Sequence, residues 1–268
     1  MSQTTTPHLI LTQLFVYPIK ALKGIALQSA TLNQRGIEYD RHWMLVDERG
    51  KMITQRDIPE LTLFETALRK EALEVRYRGE QIQIPYAYQG GAVELTTTIW
   101  GTEVQGLREE ERINGWFSQQ LGRQVELMRV AEHRPRLVKR HREVQINFPD
   151  SNQYLIIGEA TMDLLNSKLE EPLNVNRFRP NMVFRGGTPH MEDEWGALSI
   201  GEVDFMGTKS CGRCKVTTID QETAVVGMEP LRTLAQYRFF DNKILFGRYL
   251  KMKSAGMQQI TVGDTIAF

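Results

Sequence analysis

Cysteine is scarce: the chain has two thiols in 268 residues, Cys211 and Cys214. That excludes a disulfide framework, and in a reducing compartment the pair persists as thiols. Net charge is also missing, because 33 basic and 33 acidic side chains cancel. No global field steers the chain towards nucleic acid or an anionic membrane, so neither is expected as a partner and any anion site must be local. Long apolar runs are absent too. The N-terminal segment MSQTTTPHLILTQLFVYPIK has no basic leader region, and Thr12 and Gln13 interrupt its apolar run. Pro18 closes that run after about ten residues, too few to cross a bilayer, so the cytoplasm is the expected location. There is no internal repeat, low-complexity tract or nucleotide-binding glycine motif. What remains is the balance of a globular chain, 41% apolar and 25% charged, able to bury a real core.

From Leu9 to about Val104 the chain runs in short alternating or β-branched pieces, LTQLFVYPI, HWMLVD, LEVRYR, QIQIPY and VELTTTIW, separated by turn residues. This spacing predicts a small β-barrel or sandwich. The period then changes: Ile113, Trp116, Phe117 and Leu121 fall on one helical face and Gly122 ends it, which predicts a helix over 110–121. Residues 131–144, AEHRPRLVKRHREV, are basic, contain a proline and keep no clean period, so they read as a linker. The chain divides there, into 1–128 and 129–268. The second part opens with the strand YLIIG and a helix carrying Met162, Leu165 and Leu169. The pieces NMVFRG, GALSIGEVDFMG, CKVTTID and QQITVGDTIAF read as strands, and EPLRTLAQYR as a short helix started by Pro230. The fold class is mainly β with some α.

Both cysteines lie in KSCGRCKVTTID, three positions apart between cations. A redox dithiol belongs at the start of a helix, whose free amides stabilise the thiolate; KVTTI, rich in β-branched residues, favours a strand. A structural zinc site needs four nitrogen or sulfur ligands, and neither a second CxxC nor paired histidines supply them. A thiolate flanked by Lys209, Arg213 and Lys215 could be a nucleophile or a soft-metal ligand whose remaining ligands come from a cofactor. Two inert buried thiols account for the same residues, and the spacing leaves these readings open.

Four ordered motifs carry a resemblance: YPIKALKG (Tyr17 to Gly24), DRHWMLVD (Asp40 to Asp47), NRFRPNMV (Asn176 to Val183) and CGRCKVTTID (Cys211 to Asp220). In this order they resemble the MOSC family, in particular its two-part members, the group that includes the mitochondrial amidoxime reducing components. The resemblance spans Leu9 to the C-terminal TVGDTIAF. It implies an N-terminal MOSC β-barrel domain packed on a β-barrel-like MOSC domain with flanking helices, and a molybdenum cofactor between and within them. It implies that Cys214 is the one protein thiolate on molybdenum and that Cys211 accompanies it. Lys20 and Arg41 would lie near the cofactor's phosphate and pterin, with Arg179 and Asn181 in the pterin pocket. Forked guanidinium donors suit such an anionic, planar ligand. Ala21 departs from the small hydroxyl residue common after the lysine. Asp150 matches an acidic position close to the metal, where it could relay a proton; a turn aspartate bonded to backbone amides is the equal alternative.

The activity the resemblance implies is reduction of small N-hydroxylated compounds, such as hydroxylamines, amidoximes or N-hydroxylated bases, to amines. A cofactor-binding or sulfur-carrier module without turnover is the alternative. Some bacterial relatives add a ferredoxin domain; no cysteine follows Cys214, so no iron–sulfur cluster is expected in this chain. Electrons would come from a separate donor, a flavoprotein reductase with a ferredoxin or cytochrome.

Overall fold

The computed structural model describes residues 8–91, 93–254 and 256–268, so the first seven residues of the N-terminal segment lie outside the described residues. Alternating burial along Leu9–Val16 and its partners builds a closed barrel of seven strands. Around the barrel run Tyr154–Gly158, Met182–Arg185, Leu9–Val16, Thr265–Ala267, Ala197–Ile200, Val203–Gly212 and Lys243–Met252. Closure comes from Tyr154, Leu155 and Ile156 pairing antiparallel with Leu250, Tyr249 and Arg248. Closing the sheet removes its edges, and the interior fills with Leu11, Leu14, Tyr154, Phe184, Phe205 and Leu250.

The 154–158 and 182–185 strands pair in parallel. A parallel pair needs a crossover, and helix α2, Glu159–Asn166, lies on it. α2 buries Met162 and Leu165 and ends before Leu169, which still packs against the same cluster. The short helix α3, Leu231–Tyr237, follows Pro230 as expected.

Residues 25–37 also stay with the barrel side, Ile25–Leu27 pairing with the first strand and Ser29–Asn33 with Gln258–Thr261, whereas the sequence from Trp43 on forms a four-stranded antiparallel sheet, Trp43–Asp47, Val125–Val130, Thr102–Arg108 and Glu94–Ile99. Beside it is a three-stranded meander, Glu65–Leu68, Ala72–Tyr77 and Glu80–Pro85. Helix α1, Glu111–Leu121, lays Ile113 and Phe117 against Phe64, Leu73 and Leu127. It stops at Gly122, whose φ of 63° is the left-handed value that glycine adopts without a Cβ clash.

The first strand is not used where its sequence position suggests. Leu9–Val16 pairs with Met182–Arg185 and Thr265–Ala267, so the N-terminal stretch completes the C-terminal barrel. We keep 1–128 and 129–268 as the proposed division, with this strand lent across it. Two local expectations are corrected. Residues 131–144 are not a linker: Arg136–Val138 and His141–Ile146 form a hairpin, because Val138, Val144 and Ile146 bury together in a small apolar cluster of their own. KVTTI after Cys214 is a single 3-10 turn, Lys215–Thr218, and not a strand. The Thr217 and Thr218 hydroxyls donate back to the Cys214 and Lys215 carbonyls, and such local bonds compete with a sheet ladder.

One buried ion pair fixes the N-terminal sheet. Arg129 donates to Glu109 at 2.6 Å and Trp43 Nε1 donates to the same carboxylate at 2.7 Å, with side chains 5% and 2% exposed. Removing one partner leaves an uncompensated buried charge, so Glu109→Ala should cost about 3–5 kcal/mol, read as a lower urea midpoint. A shift under about 1 kcal/mol would show that the pair contributes little beyond a surface bridge.

Candidate functional site

A cleft opens where the barrel meets the N-terminal sheets, and both halves line it. The 17–24 segment leaves the first strand with Tyr17 buried, its hydroxyl donating to the Pro180 carbonyl at 3.0 Å. Gly24 makes room for that ring: a Cβ there would stand 2.4 Å from Tyr17 Cε1. The guanidinium carbons of Arg41 and Arg179 lie 4.2 and 4.3 Å from the Tyr17 ring centroid, so one aromatic side chain seats two cations. Burial, the largest influence, pushes the Tyr17 hydroxyl up to about 12.

Ala21, Arg41 and Arg179 all adopt positive φ, at 75°, 47° and 54°. Non-glycine residues hold such values only where the surroundings impose them. Arg179 follows the 3-10 turn Val175–Phe178, which Asn174 caps by accepting from the Asn176 amide. Beyond that turn, Arg179 Nη1 reaches Gln221 at 3.4 Å, and Nη2 is buried without a partner among the described residues. Burial, chiefly, pushes the Arg179 guanidinium down to about 10. Arg41 is better matched, donating to Asp40 at 2.6 Å. Asn181 lines the cleft, but its amide serves the protein: Nδ2 donates to the Phe15 carbonyl and Oδ1 accepts from the Leu155 amide and Arg41. It positions Arg41 and joins two barrel strands.

Lys20 is buried and donates to the Phe148 carbonyl at 2.9 Å and to Asp150 at 2.6 Å. Burial lowers the Lys20 ammonium, and Asp150 returns only part of that loss. For Asp150, burial alone would raise the carboxyl; Lys20, helped by Trp100 and Arg56, overrides it and holds the group well below the usual carboxylate range. The pair therefore favours the carboxylate and is costly for the ammonium, so a ligand of higher negative charge could compete for Lys20. The Asp150 side chain is 48% exposed to the open cleft, and water there limits its stabilising contribution to about 1 kcal/mol. A depressed carboxyl stabilises the fold above its ordinary pKa of 3.8 and loses that contribution as pH falls below it. The Tm difference between wild type and Asp150→Asn should thus shrink between pH 5 and pH 3. A constant difference over that window would show that the Lys20 pair carries no linked stability.

The two cysteines differ. Cys211 sits in the Val203–Gly212 strand, 3% exposed, and burial raises its thiol. Cys214 is half-buried at the head of the 215–218 turn and lines the cleft, with Arg56 Nη1 3.9 Å from its sulfur. Arg213 donates to the Phe246 and Phe178 carbonyls, while its Nη2 is buried without a partner among the described residues.

The structure thus gathers Lys20, Arg41, Asp150, Arg179, Asn181 and Cys214 around one cleft. It adds Arg56, Arg177 and Arg213, which the sequence reading did not assign to a ligand. Arg213 stood inside the quoted CGRC motif, whereas Arg56 arrives by a turn of the N-terminal half and had no signal. Among the described residues, six basic side chains line the cleft against the single acid Asp150. Asp40 and Asp220, behind the lining, pair with Arg41 and Arg177. Among the described residues, Arg56, Arg179 and Arg213 have no carboxylate partner. Such a surplus of part-buried cations is costly without an anion. A phosphate-bearing, hydrogen-bonding planar ligand meets the two orphaned guanidinium nitrogens, and a soft metal meets the Cys214 sulfur, so the donor set fits a molybdenum–pterin cofactor.

Residues 8–124 match the MOSC N-terminal beta barrel domain and residues 143–267 the MOSC domain. The chain is 31% identical over 275 residues to mitochondrial amidoxime-reducing component 1 of Mus musculus, covering 95% of this chain and 80% of that protein. To the Homo sapiens protein of the same description it is 30% identical over 284 residues, covering 95% and 81%. It is also 32% identical over 270 residues to a molybdenum cofactor sulfurase of Oryza sativa subsp. japonica, covering 92% of this chain and 33% of that protein. The chain therefore spans about a third of the length of that sulfurase. Among the described residues no helix is long and apolar enough to cross a membrane.

Proposed function

The chain belongs to the MOSC family, and from that premise we propose that its cationic cleft holds a molybdenum–pterin cofactor and that it reduces N-hydroxylated compounds to amines. The observation that carries this reading is the pair of buried, unpartnered guanidinium nitrogens on Arg179 and Arg213 beside a half-exposed Cys214 thiol. Relatives described as amidoxime-reducing components cover nearly the whole chain. When bound, the cofactor supplies the two electrons that cleave the N–O bond. Cys214 would ligate the metal. Arg179 and Arg213, with Arg41 locked by Asp40 and Asn181, would hold the phosphate and pterin.

Conversion of a hydroxylamine to amine and water takes up two protons as well as two electrons. Asp150 is ionised in the neutral range, so its proposed part is to accept a hydrogen bond from the substrate hydroxyl and orient it. Lys20, 2.6 Å behind it and made more acidic by burial, is placed to pass a proton drawn from cleft water. Electrons come from a separate donor, a flavoprotein reductase with a ferredoxin or cytochrome.

The likeness to a sulfurase keeps a second reading, a module that holds cofactor or sulfur on Cys214 without turnover. Protein made in cells able to synthesise the cofactor decides between them. We expect molybdenum and pterin near one per chain, with hydroxylamine-dependent oxidation of a reduced viologen. Retained cofactor, or a persulfide on Cys214, without turnover supports the carrier, and protein containing neither metal, pterin nor persulfide defeats both readings.

A further inference from the structure

Past Asp150 and Cys214 the cleft continues into an outer chamber lined by Trp100, Lys139, Arg140, Lys209 and Lys243. The hairpin that the sequence presented as a basic linker forms one wall of it. Its charge is one-sided. Among the described residues, Lys139, Arg140, Lys209 and Lys243 have no carboxylate partner. The acids nearby are engaged: Asp150 holds Lys20, and Glu143 holds Lys251 and His141.

These cations also converge. Lys139 donates to the Trp100 carbonyl at 3.3 Å, and Lys209 lies 5.7 Å from the centroid of the Tyr249 ring. The Lys243 chain passes 3.7 Å from where a Cβ on Gly212 would stand. Partial desolvation, opposed by Cys211 and helped by the charges of Arg140 and Lys243, lowers the Lys209 ammonium. A merely solvated basic face would spread its charges outward. Here they face a concave surface whose floor reaches Cys214, an arrangement that focuses a positive field on whatever enters. Trp100 is 55% exposed, with the Arg56 guanidinium 4.8 Å from its ring centroid. Its remaining surface offers a platform for a flat ring.

We infer that this outer chamber selects N-hydroxylated substrates bearing an anionic group: a planar ring stacks on Trp100 while a phosphate or carboxylate is held by Lys139, Arg140, Lys209 and Lys243. The inference rests on the proposed reduction at the inner cleft and adds the substrate class. Phosphate and carboxylate share the recognising chemistry, and four unpartnered cations favour the more highly charged of the two.

The test uses the cofactor-loaded protein with a reduced viologen as electron source, so that no donor protein competes for the surface. The paired substrates are N-hydroxycytidine with its 5′-monophosphate, and benzamidoxime with 4-carboxybenzamidoxime. The phosphate should raise kcat/KM by about tenfold or more over the nucleoside, falling with added salt, and the carboxylate by less. The double variant Lys209→Met, Lys243→Met should remove the advantage while leaving the neutral substrates within about twofold. Both residues are exposed, so folding is not at stake; Lys139→Met with Arg140→Met repeats the test from the hairpin side. Equal kcat/KM for charged and neutral partners overturns the inference while leaving the inner-cleft reading intact. If nothing is reduced, that reading fails. Calorimetric binding of cytidine 5′-monophosphate, which has no N–O bond, then decides the chamber, and affinity unchanged in both double variants overturns it. Loss of rate seen only with a protein electron donor, and not with viologen, would assign the cations to donor docking and also overturn it.

Discussion

Cys214→Ala should abolish reduction at matched molybdenum loading, while Cys211→Ser stays within a few-fold of wild type. Both sulfurs border the cleft, but Cys214 is the half-buried one, and as the proposed sole protein ligand its loss should exceed the roughly 10–100-fold typical of removing an outer partner of a metal ligand. Cys211 is buried in the barrel wall, and burial raises its pKa, so it stays protonated at neutral pH. Serine there changes one buried atom and should cost about 1 kcal/mol of stability with turnover preserved. A redox dithiol predicts equal loss in both variants, since each sulfur is needed to form and resolve the disulfide. Two inert core thiols predict small stability losses and unchanged turnover in both. Initial rates of the two single variants with one hydroxylamine choose among the three patterns.

The legible parts of this molecule were those whose signals are local. Ile113, Phe117 and Gly122 announced α1 and its end, because helical period and a left-handed cap are decided within one turn. The four motifs pointed to Lys20, Arg41, Arg179 and Cys214, which the fold brings to one cleft. What the sequence hid depends on distant pairing. Leu9–Val16 alternates as any half-buried strand does, and nothing in it says that its neighbours are residues 182–185 and 265–267. The 136–146 hairpin hid behind its cations, since Val138, Val144 and Ile146 are too few to show a period. The KVTT turn reversed a propensity, because threonine hydroxyls bonded to nearby carbonyls outweighed β-branching. Arg56 was invisible for a similar reason: its place beside Cys214 and Trp100 comes from packing between the two halves.

Arg179→Gln is the second large effect, and its sign should differ between the empty and the loaded protein. Without an anion, the wild-type guanidinium is buried with Nη2 unpartnered and with Arg41 close by, and burial with that repulsion lowers its pKa to about 10. An unsatisfied buried polar group costs about 1–3 kcal/mol, and more when it is charged. Glutamine removes the charge and gives up the guanidinium contact with the Tyr17 ring, the smaller of the two effects. Because both residues carry a Cβ, the strain of φ at 54° is common to the two and cancels. The cofactor-free variant should therefore melt at the wild-type temperature or a few degrees above it. On the proposed placement, the same guanidinium in loaded protein gains a phosphate or pterin acceptor, a charge-assisted bond of roughly twice the neutral strength. Its loss should lower molybdenum occupancy by about tenfold, the equivalent of some 1.4 kcal/mol. Heating scans on cofactor-free protein, with metal analysis on protein from cofactor-producing cells, read the two signs separately. Full occupancy in the variant would remove Arg179 from the cofactor's binding set. A melting temperature that falls in both forms would make it an ordinary structural arginine, held by Gln221 and the Tyr17 ring for the fold alone.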